Sequence, residues 1–195
     1  MKKALSISFK SNMGHDYLRD WELRYEIYHD HTARLSLGLS IFDKITNGGL
    51  PPKTLSVIMG GINVGKTLCM CSLSAFWLSI GKNVLYVTLE MSETEIAKRI
   101  DANLMNVYLN DIIKLPRMEY ENRINKIAAK TQGRLKIKEF SSASVLTIEN
   151  ALAELELKEN FVPDIIVVDY LNLMVSARYK TLAAAGGGSE MYAKV

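Results

Sequence analysis

The chain predicts an α/β fold in which a mostly parallel sheet is covered by helices on both faces. From Leu35 onward, short apolar runs alternate with segments of helical length. This alternation is typical of parallel sheets, because the helix after each strand returns the chain to the same end of the sheet. A glycine-rich turn stands between the first strand and its helix, which predicts a ligand site at the carboxyl ends of the strands.

Length and composition limit the class of protein. The 195 residues are 48% hydrophobic and 23% charged, with a formal net charge of +3. These values fit one globular domain and exclude wholesale disorder, whereas so small a charge neither indicates nor excludes nucleic-acid binding. Cys69 and Cys71 are too few for a disulfide framework or a zinc site, so we expect two reduced core thiols.

The sequence predicts no targeting or membrane segment. The apolar stretch near the N-terminus is short and ends at Lys10, unlike a signal peptide. The most apolar run, residues 68–80, is interrupted by serines and is shorter than the ~20 residues of a membrane span. We therefore expect a soluble intracellular protein. Three histidines without a cysteine cluster are expected to be surface residues: His15, His29 and His31.

The predicted elements follow one another in a regular order. A strand is predicted over residues 54–59, then the glycine-rich turn and a helix over about 66–80. A second strand over 83–89 precedes a helix whose start has the spacing of a capping box, Ser92 and Glu95. The same patterns predict a helix, a strand, a helix and a final strand over residues 117–130, 135–139, 147–158 and 165–168.

The two ends of the chain differ from this core. Residues 14–30 predict an amphipathic helix, because apolar residues recur there at helical spacing. Such a stripe needs burial, either in its own domain or against a neighbouring subunit. We assign residues 1–34 to an arm and 35–195 to the core, which we expect to be truncated. The Ala/Gly-rich residues 183–189 are a native loop or a linker. The stripe consists of Leu18, Trp21, Tyr25 and Tyr28.

Residues 60–67 match the pattern G-x-x-x-x-G-K-S/T between a predicted strand and a predicted helix. Glycines at this spacing let backbone N–H groups face phosphate oxygens, and the helix N-terminus adds a positive dipole. Lys66 is expected to reach the β- and γ-phosphates, and the Thr67 hydroxyl to ligate Mg²⁺. The predicted nucleotide-binding residues are Gly60, Gly61, Ile62, Asn63, Val64, Gly65, Lys66, Thr67 and Leu68.

Two carboxylates complete the predicted site. Asp169 directly follows an apolar strand, which is where a P-loop protein carries its second metal-associated residue. Glu90 follows the second strand and should face the same crevice, where a carboxylate can deprotonate an attacking water. On the residues alone, Asp169 has the weaker alternative of capping a helix. Glu90 has the open alternative of lying near a helix N-terminus for electrostatic reasons only.

Three segments in this order resemble the RecA-type core of DnaB-like, superfamily 4 replicative DNA helicases, most closely those of T-even-like bacteriophages. They are residues 56–67, Leu-Glu-Met-Ser at 89–92 and Val-Asp-Tyr-Leu-Asn-Leu-Met at 168–174. The resemblance implies ATP and Mg²⁺ as ligands. It also implies roles for individual residues: Lys66 and Thr67 on phosphates and metal, Glu90 as catalytic base, Asp169 as the Walker B residue and Arg99 as a nucleotide contact. From the residues alone, Arg99 is equally well an exposed helix residue.

The resemblance also implies a homo-hexamer that translocates on single-stranded DNA and unwinds duplex DNA. The implied partners are primase and a helicase loader. The implied location is the cytoplasm, which is the host's cytoplasm if a phage encodes the protein. The arm is then similar to a linker helix that docks on the next subunit. Arg178 and Lys180 fall in the first DNA-contacting region, although a solvated basic loop is the favoured interpretation. We expect the family's N-terminal domain, sensor residue and arginine finger to be missing, which makes fast hydrolysis by this chain alone doubtful.

Two alternatives to the helicase hypothesis stay open. One is a DNA-pairing ATPase of the RecA/RadA recombinase type, which forms filaments rather than rings and shares the P-loop and Walker B logic. The Glu90-Met-Ser segment and the predicted linker helix argue against it. The other is a nucleotide-binding remnant without turnover.

Overall fold

The structure is a computed structural model that describes residues 16–29 and 34–176, and the chain divides into two compact units, Met1–Leu55 and Ser56–Val195. The second unit holds the sheet and the longer helices. The helices are α1 (Trp21–His29), α2 (Ser40–Ile45), α3 (Lys66–Ser79), α4 (Glu93–Met105), α5 (Leu109–Ile112), α6 (Arg117–Ala128) and α7 (Val145–Glu159). The strands are β1 (Val84–Thr88), β2 (Leu135–Glu139) and β3 (Ile165–Asp169), and a 3₁₀ helix covers Leu171–Leu173.

The described sheet has three parallel strands in the order β2-β1-β3. The central strand β1 is paired on both sides, and all five of its residues are buried. At its last position, Thr88 lies opposite Glu139 on one side and Asp169 on the other. The predicted α/β class is therefore confirmed. The three strands are those predicted from their apolar runs, and β1 is one residue shorter at each end.

The two faces of β1 pack against different helices, because successive side chains of a strand point to opposite faces. Leu85 and Val87 are completely buried in a cluster with Phe161 and with Ile148 of α7. On the other face, Tyr86 contacts Cys71 of α3. Helices thus cover both faces of the sheet, as the sequence predicts.

The backbone amide and the side chain of Asn83 together join the starts of all three strands. Its backbone amide donates to the Asp164 carboxylate at 2.8 Å, and its side-chain amide donates to the Val162 carbonyl at 3.1 Å. The Arg134 amide in turn donates to the side-chain oxygen of Asn83 at 3.0 Å. These bonds satisfy polar groups that the ladder leaves unpaired where the strands begin.

The predicted capping box at α4 is only half formed. Ser92 caps the helix by accepting from the Glu95 amide at 3.3 Å. The Glu95 carboxylate, however, binds the Arg99 guanidinium one turn later at 2.9 Å. This carboxylate is thus engaged by an i,i+4 charge pair. A reciprocal capping box does occur at α7, between Ser144 and Thr147.

The prediction of a strand over residues 54–59 is wrong. These residues form no strand, and their side chains are exposed, with Leu55 at 84% and Met59 at 88%. The apolar composition favours extended backbone, but a strand forms only where a neighbour accepts its hydrogen bonds. In the described part of the chain, the three paired strands do not include this segment.

The N-terminal helix is shorter than predicted. It begins at Trp21, because the Asp16 carboxylate accepts from the amides of Leu18 and Arg19, both at 3.1 Å, and holds a turn before it. The apolar stripe is exposed in its own unit: Leu18 is 79% and Tyr28 is 69% accessible. Residues 14, 15 and 30 and the Ala/Gly-rich residues 183–189 lie outside the described ranges. Within residues 16–29 and 34–176, no helix is long and apolar enough to span a membrane.

Replacing Phe161 by alanine is expected to lower the free energy of unfolding by about 3–5 kcal/mol, because a large ring is lost from a closed core. Phe161 is 0% exposed, whereas Leu157 on nearby α7 is 87% exposed. Leu157→Ala is therefore the matched control, with an expected change within about 0.5 kcal/mol. Urea denaturation measures both, and equal effects of the two variants would contradict the assigned core.

Candidate functional site

The glycine-rich loop of residues 60–65 leads directly into α3. Gly65 is the residue before the helix and has φ = +93°, a conformation that L side chains rarely adopt. A Cβ atom on Gly60 would lie 2.7 Å from Cγ2 of Val64. The Lys66 ammonium donates to the carbonyls of Gly60 and Gly61 at 3.1 and 2.6 Å. The loop therefore curves around the lysine side chain.

Helix α3 begins at Lys66 without a side-chain cap. Its first N–H groups are thus left for other acceptors, and they stand at the positive end of the helix dipole. Thr67 lies in this first turn, and Leu68 beside it is exposed. Backbone donors, an ammonium and a hydroxyl are therefore grouped at one helix end, a combination that suits an anionic ligand such as phosphate.

Glu90 lies just after β1, and Asp169 is the last residue of the neighbouring strand β3, at the same edge of the sheet. Thr88 and Asp169 are register partners, and the next amide, that of Leu89, donates to the Asp169 carbonyl at 2.8 Å. Glu90 comes one residue later and is exposed, whereas Asp169 is only 1% exposed. The structure thus brings the two predicted carboxylate residues to one edge, with different access to solvent.

The turn that carries Glu90 is held by Thr88. The Thr88 hydroxyl donates to the Met91 carbonyl at 2.7 Å, and the Met91 amide donates back to that hydroxyl at 3.2 Å. Thr88 itself is fully buried at the end of β1. The pair of bonds fixes the backbone on both sides of Glu90, and Ser92 caps the helix that follows.

The Asp169 carboxylate accepts a hydrogen bond from the Tyr86 hydroxyl at 2.9 Å. The Cys71 thiol of α3 donates to the same hydroxyl at 3.8 Å. Burial raises the pKa of Tyr86, with smaller contributions from Cys71 and Asp169, and burial also raises the pKa of Cys71. The alternative that Asp169 caps a helix is not supported, because the following 3₁₀ helix begins after Tyr170 and has no side-chain cap.

The remaining predicted residues are placed as follows. Arg99 is part-buried on α4, where its guanidinium donates to the backbone carbonyl of Glu95 at 2.6 Å as well as to its carboxylate. Its charge acts on the Cys71 thiol by lowering the pKa of that group, against the larger effect of burial. Arg178 and Lys180 lie outside the described residues. Both cysteines are free thiols; Cys71 is buried as expected, whereas Cys69 is only half-buried.

A family profile for the C-terminal domain of DnaB-like helicases matches residues 35–185. The chain belongs to this family. It is 45% identical over 185 residues to the DnaB-like replicative helicase of Enterobacteria phage T4, a match covering 92% of this chain and 39% of that protein. The resemblance drawn from the three sequence segments is thereby confirmed.

A second relative is similar over a shorter stretch. The DNA repair protein RadA of Campylobacter jejuni is 34% identical over 83 residues, which cover 41% of this chain and 19% of RadA. The chain thus spans well under half the length of both relatives.

Two solved structures share the fold. A DnaB-like replicative helicase, described with its interactions with primase, matches 83% of this chain and 41% of its own, with a TM-score of 0.64 and 18% identity. An ATPase domain matches 84% of this chain and 60% of its own, with a TM-score of 0.63 and 16% identity. At this identity the likeness concerns the fold, which confirms the RecA-like class.

Two residues beside the site were not predicted from the sequence, Tyr86 and Thr88. A signal existed for Tyr86, because a tyrosine inside an otherwise apolar, buried strand needs a partner for its hydroxyl. The signal for Thr88 was weaker, since threonine is common in strands for packing reasons alone. Neither signal identifies the hydrogen-bond partner of the hydroxyl, because that partner is brought close only by the fold.

Thr88→Val should loosen the turn around Glu90 in this DnaB-family domain. Valine conserves the shape of threonine but removes both hydrogen bonds to Met91, so we expect faster hydrogen exchange of the Met91 amide and about 1–3 kcal/mol less stability. Thr147→Val on α7 is the control, because it breaks a capping box elsewhere. Unchanged protection of Met91 in Thr88→Val would contradict the role of this hydroxyl.

Proposed function

We propose that this chain is the ATP-binding motor domain of a hexameric replicative DNA helicase, which couples ATP hydrolysis to translocation on single-stranded DNA. The observation that carries the proposal is the arrangement of one compact unit. A P-loop opens α3, and α3 packs on the two strands whose ends carry Glu90 and Asp169. Membership of the DnaB-like family supports the same conclusion.

In this proposal the nucleotide's phosphates bind residues 60–68. The loop amides and the first turn of α3 supply N–H donors, and the Lys66 ammonium exchanges its two carbonyl acceptors for β- and γ-phosphate oxygens. That exchange is favourable because a charged acceptor replaces neutral ones. Arg99 is a second nucleotide contact in the proposal, and it would have to leave the Glu95 carboxylate to act.

Thr67 and Asp169 are the residues that would hold Mg²⁺, which when bound neutralises charge on the β- and γ-phosphates. An oxygen-rich site of this kind suits Mg²⁺, which usually binds one or two protein groups plus phosphates and water. Within residues 16–29 and 34–176, no three His, Cys, Asp or Glu side chains form a metal cluster. The pair of Thr67 and Asp169 thus fits a metal that is also bound by the nucleotide's phosphates.

Glu90 is the proposed catalytic base. Its carboxylate takes a proton from water while the water oxygen bonds to the γ-phosphorus. The bond from that phosphorus to the bridging oxygen breaks, and ADP leaves with the electron pair. The exposure of Glu90 gives water access to its carboxylate, and the Thr88–Met91 bonds limit how far its backbone can move.

Two variants separate binding from hydrolysis. Lys66→Ala is expected to weaken nucleotide binding at least about a hundredfold, because a charged phosphate contact is lost. Glu90→Gln should keep binding within about twofold and lose hydrolysis by about a hundredfold or more. Fluorescent-nucleotide titration and phosphate release, both with single-stranded DNA, measure the two effects. The controls are Lys126→Ala and Glu149→Gln, which change exposed helix residues. Normal hydrolysis by Glu90→Gln would show that another group is the base.

Assembly is the second part of the proposal. The exposed stripe of the arm, which includes Trp21 at 56% and Tyr25 at 58% accessibility, would dock on the next subunit of a ring. We keep the arm at residues 1–34 and the core at 35–195, and the family match also begins at residue 35. Arg178 and Lys180 are proposed DNA contacts. Primase and a helicase loader are proposed partners of the whole protein, and a relative of the same fold interacts with primase.

The similarity to RadA favours a second candidate, a recombinase-type ATPase. Light scattering with Mg²⁺, a non-hydrolysable ATP analogue and a single-stranded oligonucleotide distinguishes the candidates. We expect closed particles of about six protomers, together with strand separation when hydrolysable ATP is supplied. Filaments with strand exchange would favour the recombinase. A monomer that does not respond to the oligonucleotide, and that binds ATP without releasing phosphate, would identify a domain that binds without turnover.

A further inference from the structure

A chain of three buried polar groups crosses the second unit from α3 through β1 to β3. The Cys71 thiol donates to the Tyr86 hydroxyl at 3.8 Å, and that hydroxyl donates to Oδ2 of Asp169 at 2.9 Å. Cys71 and Tyr86 are both 0% exposed, and Asp169 is 1% exposed. These groups belong to three different elements, including the helix that carries the P-loop.

Packing alone does not account for this hydroxyl, because phenylalanine fills the same space without a polar group to satisfy. A buried hydroxyl costs free energy unless it is hydrogen-bonded, and here it is bonded to a buried carboxylate. The Tyr86 hydroxyl donates its single proton to Asp169, while the thiol occupies one of the acceptor positions of the hydroxyl oxygen.

We propose that Tyr86 is a positioning residue that fixes the carboxylate of Asp169 for its role at the metal. The inference rests on the proposed function, in which Asp169 is metal-associated. With Oδ2 held by the hydroxyl, rotation of the carboxylate is restricted and its second oxygen keeps one direction. Hydrogen-bonded partners of metal-binding carboxylates act in this way, and their loss commonly weakens metal binding about tenfold or more.

Cys71 extends this control to the P-loop helix. Thr67, the other proposed metal residue, lies four residues before Cys71 on α3, about 6 Å along the helix axis. The contact of Cys71 with Tyr86 thus relates the helix that presents Thr67 to the side chain that holds Asp169. The two proposed metal residues come from separate elements, and the Tyr86 hydroxyl bonds a buried group on each of these elements, Cys71 on α3 and Asp169 on β3.

The test is the Mg²⁺ dependence of nucleotide binding, which does not require turnover. Fluorescent ADP is titrated into the whole chain at a series of Mg²⁺ concentrations and in excess EDTA. Tyr86→Phe is expected to raise the Mg²⁺ concentration for half-maximal binding about tenfold. Binding in EDTA should stay within about twofold of the unchanged chain, since the loop contacts do not involve Tyr86. A purely structural role would change stability and leave the Mg²⁺ dependence as it was.

Tyr120→Phe is the matched control. The Tyr120 hydroxyl also donates to a part-buried carboxylate, that of Asp101, at 2.7 Å, but between α6 and α4 and outside the candidate site. Removing it takes away the same kind of bond, so its Mg²⁺ dependence should be unchanged. Cys71→Ala is a milder probe of the same three hydrogen-bonded groups. It is expected to raise the Mg²⁺ concentration for half-maximal binding about two- to threefold, in the same direction as Tyr86→Phe.

Asp169→Asn separates failure of this inference from failure of the proposed function. If Asp169→Asn loses the Mg²⁺ dependence while Tyr86→Phe and Cys71→Ala keep it, Tyr86 does not position the carboxylate and the metal role of Asp169 stands. If Asp169→Asn binds with the unchanged Mg²⁺ dependence, the metal role itself is wrong and the inference falls with it. When Tyr86→Phe is added to Asp169→Asn, the expected further shift is less than about twofold, because the pair acts as one unit.

Discussion

The pairing of β1 with a parallel strand on each side is the constraint on which the rest of the structure depends. It buries all five residues of β1 and leaves no freedom in register, since a slip of one residue would turn every side chain to the other face. The same register sets Thr88 opposite Asp169 and thereby brings Glu90 to the edge where Asp169 ends its strand. The candidate site is in this sense a consequence of strand alignment.

Much of this arrangement could be predicted from the sequence. β1 and β3 stand out as apolar runs of about five residues, and β2 as an alternation of apolar and charged residues, both of which are typical of strands. The P-loop could also be recognised from the sequence, because the backbone geometry of the loop requires its glycines and the charge of a phosphate requires Lys66. The carboxylates Glu90 and Asp169 could be found because strand ends in a parallel sheet share one edge.

What could not be predicted depends on contacts between distant parts of the chain. Tyr86 and Asp169 are 83 positions apart, and no local pattern states that one hydroxyl reaches the other carboxylate. Glu95 has the spacing of a capping residue, yet Arg99 one turn away engages its carboxylate. Residues 54–59 have the composition of a strand and remain exposed, because pairing is a property of the neighbour as much as of the segment.

Glu90 lies between two restrained points, and this position determines which element would move if the nucleotide displaced Glu90. On one side Thr88 binds the turn at the end of β1, and on the other Ser92 caps α4. A short turn restrained at both ends transmits displacement and does not absorb it. If Glu90 is displaced when it acts as the proposed catalytic base, α4 is the element that must respond. Because α4 packs against α3, α5, α6 and β2, the response would spread through the helical layer beside the sheet.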